Sequence, residues 1–167
     1  VYFICSHLVP LLVFAHLFSM VRFLYDSNRK KPLEGESKFK DLKKSYSKGK
    51  ELCGKTLGII GMGRIGQAVA RRAKGFGMSI HYHNRNKLHS EIESELEATW
   101  WESLDQMISR MDIISINCPH TEATHHMISN NQLNLMQKHS YLVNTSRGEI
   151  VDEKSMTDHL ILSLIHI

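Results

Sequence analysis

TLGIIGMGRIGQAVARRAKGFGMSIHYHNRN, residues 56–86, passes from a short apolar run through three spaced glycines into a helical pattern, then out to a second apolar run. The runs at 56–60 and 78–83 read as strands, and 64–76 as the helix between them, with Ile65, Ala68, Val69, Ala73 and Phe76 on one face. Gly61, Gly63 and Gly66 form G-x-G-x-x-G directly after a strand and opening a helix, the context in which that pattern denotes a dinucleotide phosphate loop. Gly61 permits the turn out of the strand, Gly63 lets the backbone approach a pyrophosphate, and Gly66 lets the helix lie close on the sheet. Amides around Arg64 and Ile65 then present the positive end of the helix dipole to the phosphates. An acid about twenty residues on, at the end of the second strand, would bond the ribose 2′-hydroxyl of NAD. His83, Asn84 and Arg85 stand there instead. A guanidinium pairs with a 2′-phosphate where a carboxylate repels it, so Asn84 and Arg85 favour NADP(H). NAD(H) is the alternative, with Arg85 then a solvated loop cation.

Beyond residue 86 the alternation continues. The acidic LHSEIESELEATW segment has no assigned structure. A helix follows at 103–110, a strand at 112–118, a helix at 129–136 and a strand at 141–146. Short β-branched runs separated by helices give right-handed βαβ units. The expected fold is α/β: a Rossmann-type doubly wound parallel sheet, C-terminally truncated, with an N-terminal helix and arm. The expected cofactor-binding domain spans 54–161. LSLIHI, 162–167, matches an in-frame reading of a sequencing-library adapter, which makes it a non-native tail and implies a gene that continues beyond about residue 161.

Toward the N-terminus, residues 1–25 approach the length and apolarity of a membrane span. His7, Pro10, His16 and Arg22 interrupt the run, so it reads as a helix buried against protein on most sides. Residues 26–53, rich in Lys, Ser and Gly, read as a basic arm or loop. The whole chain of 167 residues, 42% hydrophobic and 23% charged, suits one globular domain. Its +4 charge is spread out apart from NRKK and DLKKSYSKGK, which argues against a nucleic-acid surface. Cys5, Cys53 and Cys118 make no CxxC pair, which indicates neither a disulfide framework nor a thiolate metal site and suits a reducing, cytoplasmic setting. His120, His125 and His126 fit no zinc spacing, and no metal is expected.

Three ordered segments, GKTLGIIGMGRIGQAVA, MDIISINCPHTEATHHMIS and LNLMQKHSYLVNTSRGEIVDE, resemble the NAD(P)-binding domain of D-isomer-specific 2-hydroxyacid dehydrogenases. HYHNR is similar to the glyoxylate and hydroxypyruvate reductases of that family, which commonly prefer NADPH. The resemblance implies that Cys118, Pro119 and Thr124 line the nicotinamide side of the cleft, that Thr145 and Ser146 sit at the cofactor, and that Arg147 is the catalytic arginine. A guanidinium suits that role, since it holds a carboxylate and polarises a 2-oxo group while staying charged. Cys118 reads as a packing residue, because no base stands beside it in sequence. The family's general-acid histidine and its carboxylate partner are expected after the last residue, and the substrate domain is absent.

Residues 13–52 resemble instead the inter-domain helix and dimer arm of phosphoglycerate-dehydrogenase-like members, which implies a homodimer through that helix and arm. A join between two genes near GKTLGIIG accounts for the mixture. The expected function is hydride transfer between nicotinamide and a small 2-oxo acid such as glyoxylate or hydroxypyruvate. The alternatives are an NAD-using D-3-phosphoglycerate dehydrogenase and, in another class, a non-enzymatic NAD(H)-sensing corepressor-like protein.

Overall fold

Five short runs pair into one parallel sheet in a computed structural model of the protein, which describes residues 2–34 and 36–161. They are β1 (Thr56–Ile60), β2 (Ser79–His83), β3 (Ala98–Trp100), β4 (Ile113–Ile116) and β5 (Tyr141–Asn144), in the order β3-β2-β1-β4-β5. In β1 and β4 successive side chains alternate between two buried faces, which explains why these strands read as nearly continuous apolar runs. Leu57, Ile59, Ile80, Tyr82, Ile113 and Val143 enter one core. Ile60, Ile114, Ile116 and Leu142 enter the other. At the far end of the sheet the register aligns His83, Ile60, Ile116 and Asn144 in one row, so the residues just after them emerge side by side.

The helices are α1 (Tyr2–Val21), α2 (Leu24–Glu34), α3 (Phe39–Tyr46), α4 (Arg64–Gly75), α5 (Ser90–Leu96), α6 (Leu104–Ile108), α7 (Asn130–Leu135) and α8 (Glu153–Ile161). Val69, Ala70 and Ala73 of α4 and Val13, Phe14, Leu17 and Val21 of α1 pack with the first face. Met107 and Ile108 of α6 and Leu133 of α7 pack with the second. At the opposite end of the sheet from that row, Asp112 ties β1 to β4, accepting bonds from the Thr56 amide at 2.9 Å and hydroxyl at 3.0 Å. Burial alone would raise the Asp112 carboxyl, but these bonds, that of His139 and the charge of Lys55 outweigh it and hold it below the usual range.

The unassigned acidic segment forms α5 and β3, the latter too short at three residues to show an alternation. Residues 26–53 differ more from expectation, because α2 and α3 occupy most of that arm. Its lysines, leucines and glutamates are good helix formers, and Tyr46 sets its ring 6.2 Å from that of Phe23. The apolar N-terminal helix is also not enclosed on most sides. One face lies on the core, while Leu8, Leu11 and Leu12 are exposed at 58%, 54% and 48%. It ends at Val21, and Phe23, at φ 56°, turns the chain into α2. Among the described residues no single helix is long and apolar enough to cross a membrane; His7–Val21 and Leu24–Lys31 reach that length only as a pair bent by 61°. The segment 162–167 lies outside the described residues.

Candidate cofactor-binding site

Gly61, Asn84, Asn117 and Thr145 each follow the last residue of a strand, and the row at the sheet end brings them together. The chain runs from β1 outward to β2 and β3, then returns to place β4 on the other side of β1. Loops diverge at such a switch point and leave a crevice between them.

The glycine loop after β1 is shaped by its steric surroundings. Gly61 has φ 94°, and a Cβ there would stand 2.6 Å from the Cys118 amide nitrogen, so the turn and the close approach of the segment just after β4 both require glycine. A Cβ at Gly66 would collide with the Gly61 carbonyl oxygen. At Gly63 it would meet nothing within 4 Å. Two glycines are thus needed by the protein itself, while the third leaves open space at the helix start. Gly63 caps α4 without a side-chain bond, no acidic residue stands in the first turn, and Arg64 and Ile65 follow it. That leaves the dipole end to an anion.

The end of β2 is tied to this loop. The Gly61 amide donates to the His83 carbonyl at 3.1 Å, and the Met62 amide donates to Asn84 Oδ1 at 2.8 Å. The Asn84 side chain therefore orients the phosphate loop, a role the sequence did not reveal. Its amide NH₂ is the part left for a ligand. Arg85 is exposed, and among the described residues no hydrogen bond or ion pair engages its guanidinium.

After β4, Cys118 is half-buried against the second core, and burial pushes its thiol up, which suits packing and not nucleophilic attack. Pro119 is exposed. Its carbonyl accepts the Thr124 hydroxyl at 2.8 Å, and Thr124 in turn accepts the Thr121 amide at 2.8 Å. Thr124 thus folds the loop with its side chain. His120 and His125 face each other in the same loop at 3.3 Å, and the His125 and His126 rings stack at 3.9 Å. Among the described residues no three His, Cys, Asp or Glu side chains converge as metal ligands.

After β5, Asn144 organises the turn in a way the sequence reading missed. Its Oδ1 accepts the Ser146 amide at 2.9 Å, and its Nδ2 donates to the Arg147 carbonyl at 2.8 Å. The Ser146 hydroxyl donates to Ile116 at the end of β4 at 3.1 Å. An Asn at the end of an apolar run, followed by Thr and Ser, is a recognisable turn signal, because its side chain can accept the amide two residues on. Arg147 is exposed and spends one donor on the Ser146 carbonyl at 3.0 Å, leaving the rest of its fork for an anion. Two buried polar atoms at this end of the sheet, Asn117 Oδ1 and Thr145 Oγ1, have no partner among the described residues. Together with the open cradle at Gly63, these orphaned atoms fit a polar ligand laid across the crevice.

The family model for the D-isomer specific 2-hydroxyacid dehydrogenase, NAD binding domain, matches residues 14–166. The chain belongs to this family. A glyoxylate reductase of Aeropyrum pernix is 50% identical over 112 residues, covering 67% of this chain and 33% of that protein. A glyoxylate reductase of Korarchaeum cryptofilum is 47% identical over 108 residues, covering 65% and 32%. Among solved structures, apo D-mandelate dehydrogenase of Rhodotorula graminis superposes with a TM-score of 0.90 at 26% identity, over 96% of this chain and 47% of that one. A Granulicella formate dehydrogenase superposes with a TM-score of 0.85 at 33% identity, over 94% and 41%. The chain therefore spans about a third of the length of the curated relatives it matches. The family match runs across residue 54, and one core draws residues from both sides of that position.

Proposed function

We propose that this chain is the cofactor-binding part of an NADP(H)-preferring oxidoreductase that interconverts a small 2-oxo acid, of the glyoxylate or hydroxypyruvate class, with its 2-hydroxy acid. The observation that carries the cofactor choice is the division of labour after β2: Asn84 spends only its side-chain oxygen, on the Met62 amide, while Arg85 is exposed with no acid beside it in sequence. The bound cofactor would supply hydride at its nicotinamide. The backbone of Gly63, Arg64 and Ile65 would hold the pyrophosphate, Asn84 and Arg85 the 2′-phosphate, and Cys118, Pro119, Thr124, Thr145 and Ser146 the nicotinamide side. Arg147 would hold the substrate carboxylate and polarise its 2-oxo oxygen, with its backbone fixed by Asn144. Similarity to glyoxylate reductases supports the substrate class. A homodimer built through α1 and the arm, and a reducing cytoplasmic setting for Cys53 and Cys118, belong to the same reading.

Titration of the 167-residue chain with NADPH and NADH, followed by nicotinamide fluorescence, tests it. NADPH is expected to bind at least about tenfold more tightly, the size of one charge-assisted contact, and Arg85→Asp to abolish the difference. Equal affinity in the wild type would return the chain to the NAD-using alternatives.

A further inference from the structure

Tyr82 lies in β2 with its side chain fully buried, at a place where a phenylalanine would fill the core as well. Its hydroxyl nevertheless makes two bonds. It donates to Glu93 Oε1 at 2.6 Å and accepts the Leu88 amide at 2.9 Å. The other oxygen of Glu93 pairs with Lys87 Nζ at 3.3 Å. The loop after β2 is thus fixed at both ends. Asn84 is held by the Met62 amide and, through its carbonyl, by the Trp100 indole at 3.4 Å, while Lys87 and Leu88 are held by the Glu93–Tyr82 pair. Between these anchors stand Arg85 and Asn86, both exposed.

We propose that Tyr82 is a positioning residue for cofactor choice, its hydroxyl holding the 84–88 loop so that Arg85 is presented to the 2′-phosphate of the adenosine ribose. The inference rests on the reading of Arg85 given above. A tip of two residues between anchors has little freedom, so the side chain it carries loses less entropy when it pairs. The arrangement also occupies both carboxylate oxygens of Glu93, keeping that charge off the neighbouring cation. Burial, and then the bond to Glu93, push the Tyr82 hydroxyl up to about 12, so the donor persists at any working pH.

The test is the ratio of NADPH to NADH affinity, by nicotinamide fluorescence, in the 167-residue chain and three variants whose folding is checked by thermal melting. Tyr82→Phe removes both bonds and Glu93→Leu removes the acceptor and the Lys87 pair; each is expected to weaken NADPH about tenfold while NADH changes less than about twofold. Glu93→Gln keeps an acceptor for the hydroxyl and is expected to retain the wild-type ratio. Loss of fold alone would lower both affinities together and leave the ratio intact. A folded Tyr82→Phe or Glu93→Leu with the wild-type ratio overturns the positioning role and leaves the Arg85 reading standing. So does a Glu93→Gln that loses as much as Tyr82→Phe, since charge and not the hydroxyl would then be the anchor. A wild type without NADPH preference overturns the Arg85 reading and this inference with it.

Discussion

The three glycines of the phosphate loop look alike in sequence but answer to different constraints, and alanine separates them. At Gly66 an added methyl meets the backbone oxygen of Gly61, which cannot swing aside as a side chain could. At Gly61 it meets the Cys118 backbone and is strained besides by φ 94°. Gly66→Ala and Gly61→Ala are therefore expected to cost about 1–3 kcal/mol each in denaturant unfolding. Gly63→Ala should cost little stability, because nothing lies within 4 Å, yet it should abolish dinucleotide binding by filling the cradle. A Gly63→Ala protein that binds NADPH normally would remove Gly63 from the site. These positions were legible because the constraint lies in the residue type itself. Asn144 and Tyr82 were not, since their importance arises from hydrogen bonds to residues whose nearness only the fold creates.

Among the elements, the buried strands and α4 were readable wherever the periodicity ran long enough. β1 and β4 are bounded by turn residues, and α4 keeps Val69, Ala70 and Ala73 on one face. β3 escaped because three residues carry no period, and α2 and α3 escaped because a lysine-rich composition suits a loop and a solvated helix equally. The N-terminal helix was recognised, but its attachment was not. Phe14 and Phe18 of α1 set their rings 5.1 and 5.2 Å from that of Phe76, just after α4, and Phe14 is buried. The packed domain thus includes α1 and does not begin near residue 54. Phe14→Ala is expected to destabilise the whole domain by about 3 kcal/mol in urea or thermal unfolding. An unchanged midpoint would mean that α1 is a detachable arm after all.

At the scale of the molecule, what the chain does not cover becomes the question. α1 turns Val13, Phe14, Leu17 and Val21 inward, and the same helix carries Leu8, Leu11 and Leu12 outward, with Leu24 and Tyr25 also exposed just beyond it. Side chains at positions 8, 11, 12 and 15 fall on one stripe of a helix, so these leucines form a continuous patch, and an exposed apolar patch of that kind favours association. A second copy offers the same stripe across a two-fold axis, which closes the contact after one pairing instead of propagating it. The chain is expected to be a dimer by light scattering at micromolar concentration, and Leu11→Glu with Leu12→Glu to give a monomer. Both side chains already face solvent in the single chain, so the double variant should keep its thermal midpoint apart from any loss of dimer stabilisation, which dilution of the wild type reveals independently. A wild type that stays monomeric when concentrated, or a double variant that still pairs, would move the contact away from this helix. In either case α1 would serve only the core it covers.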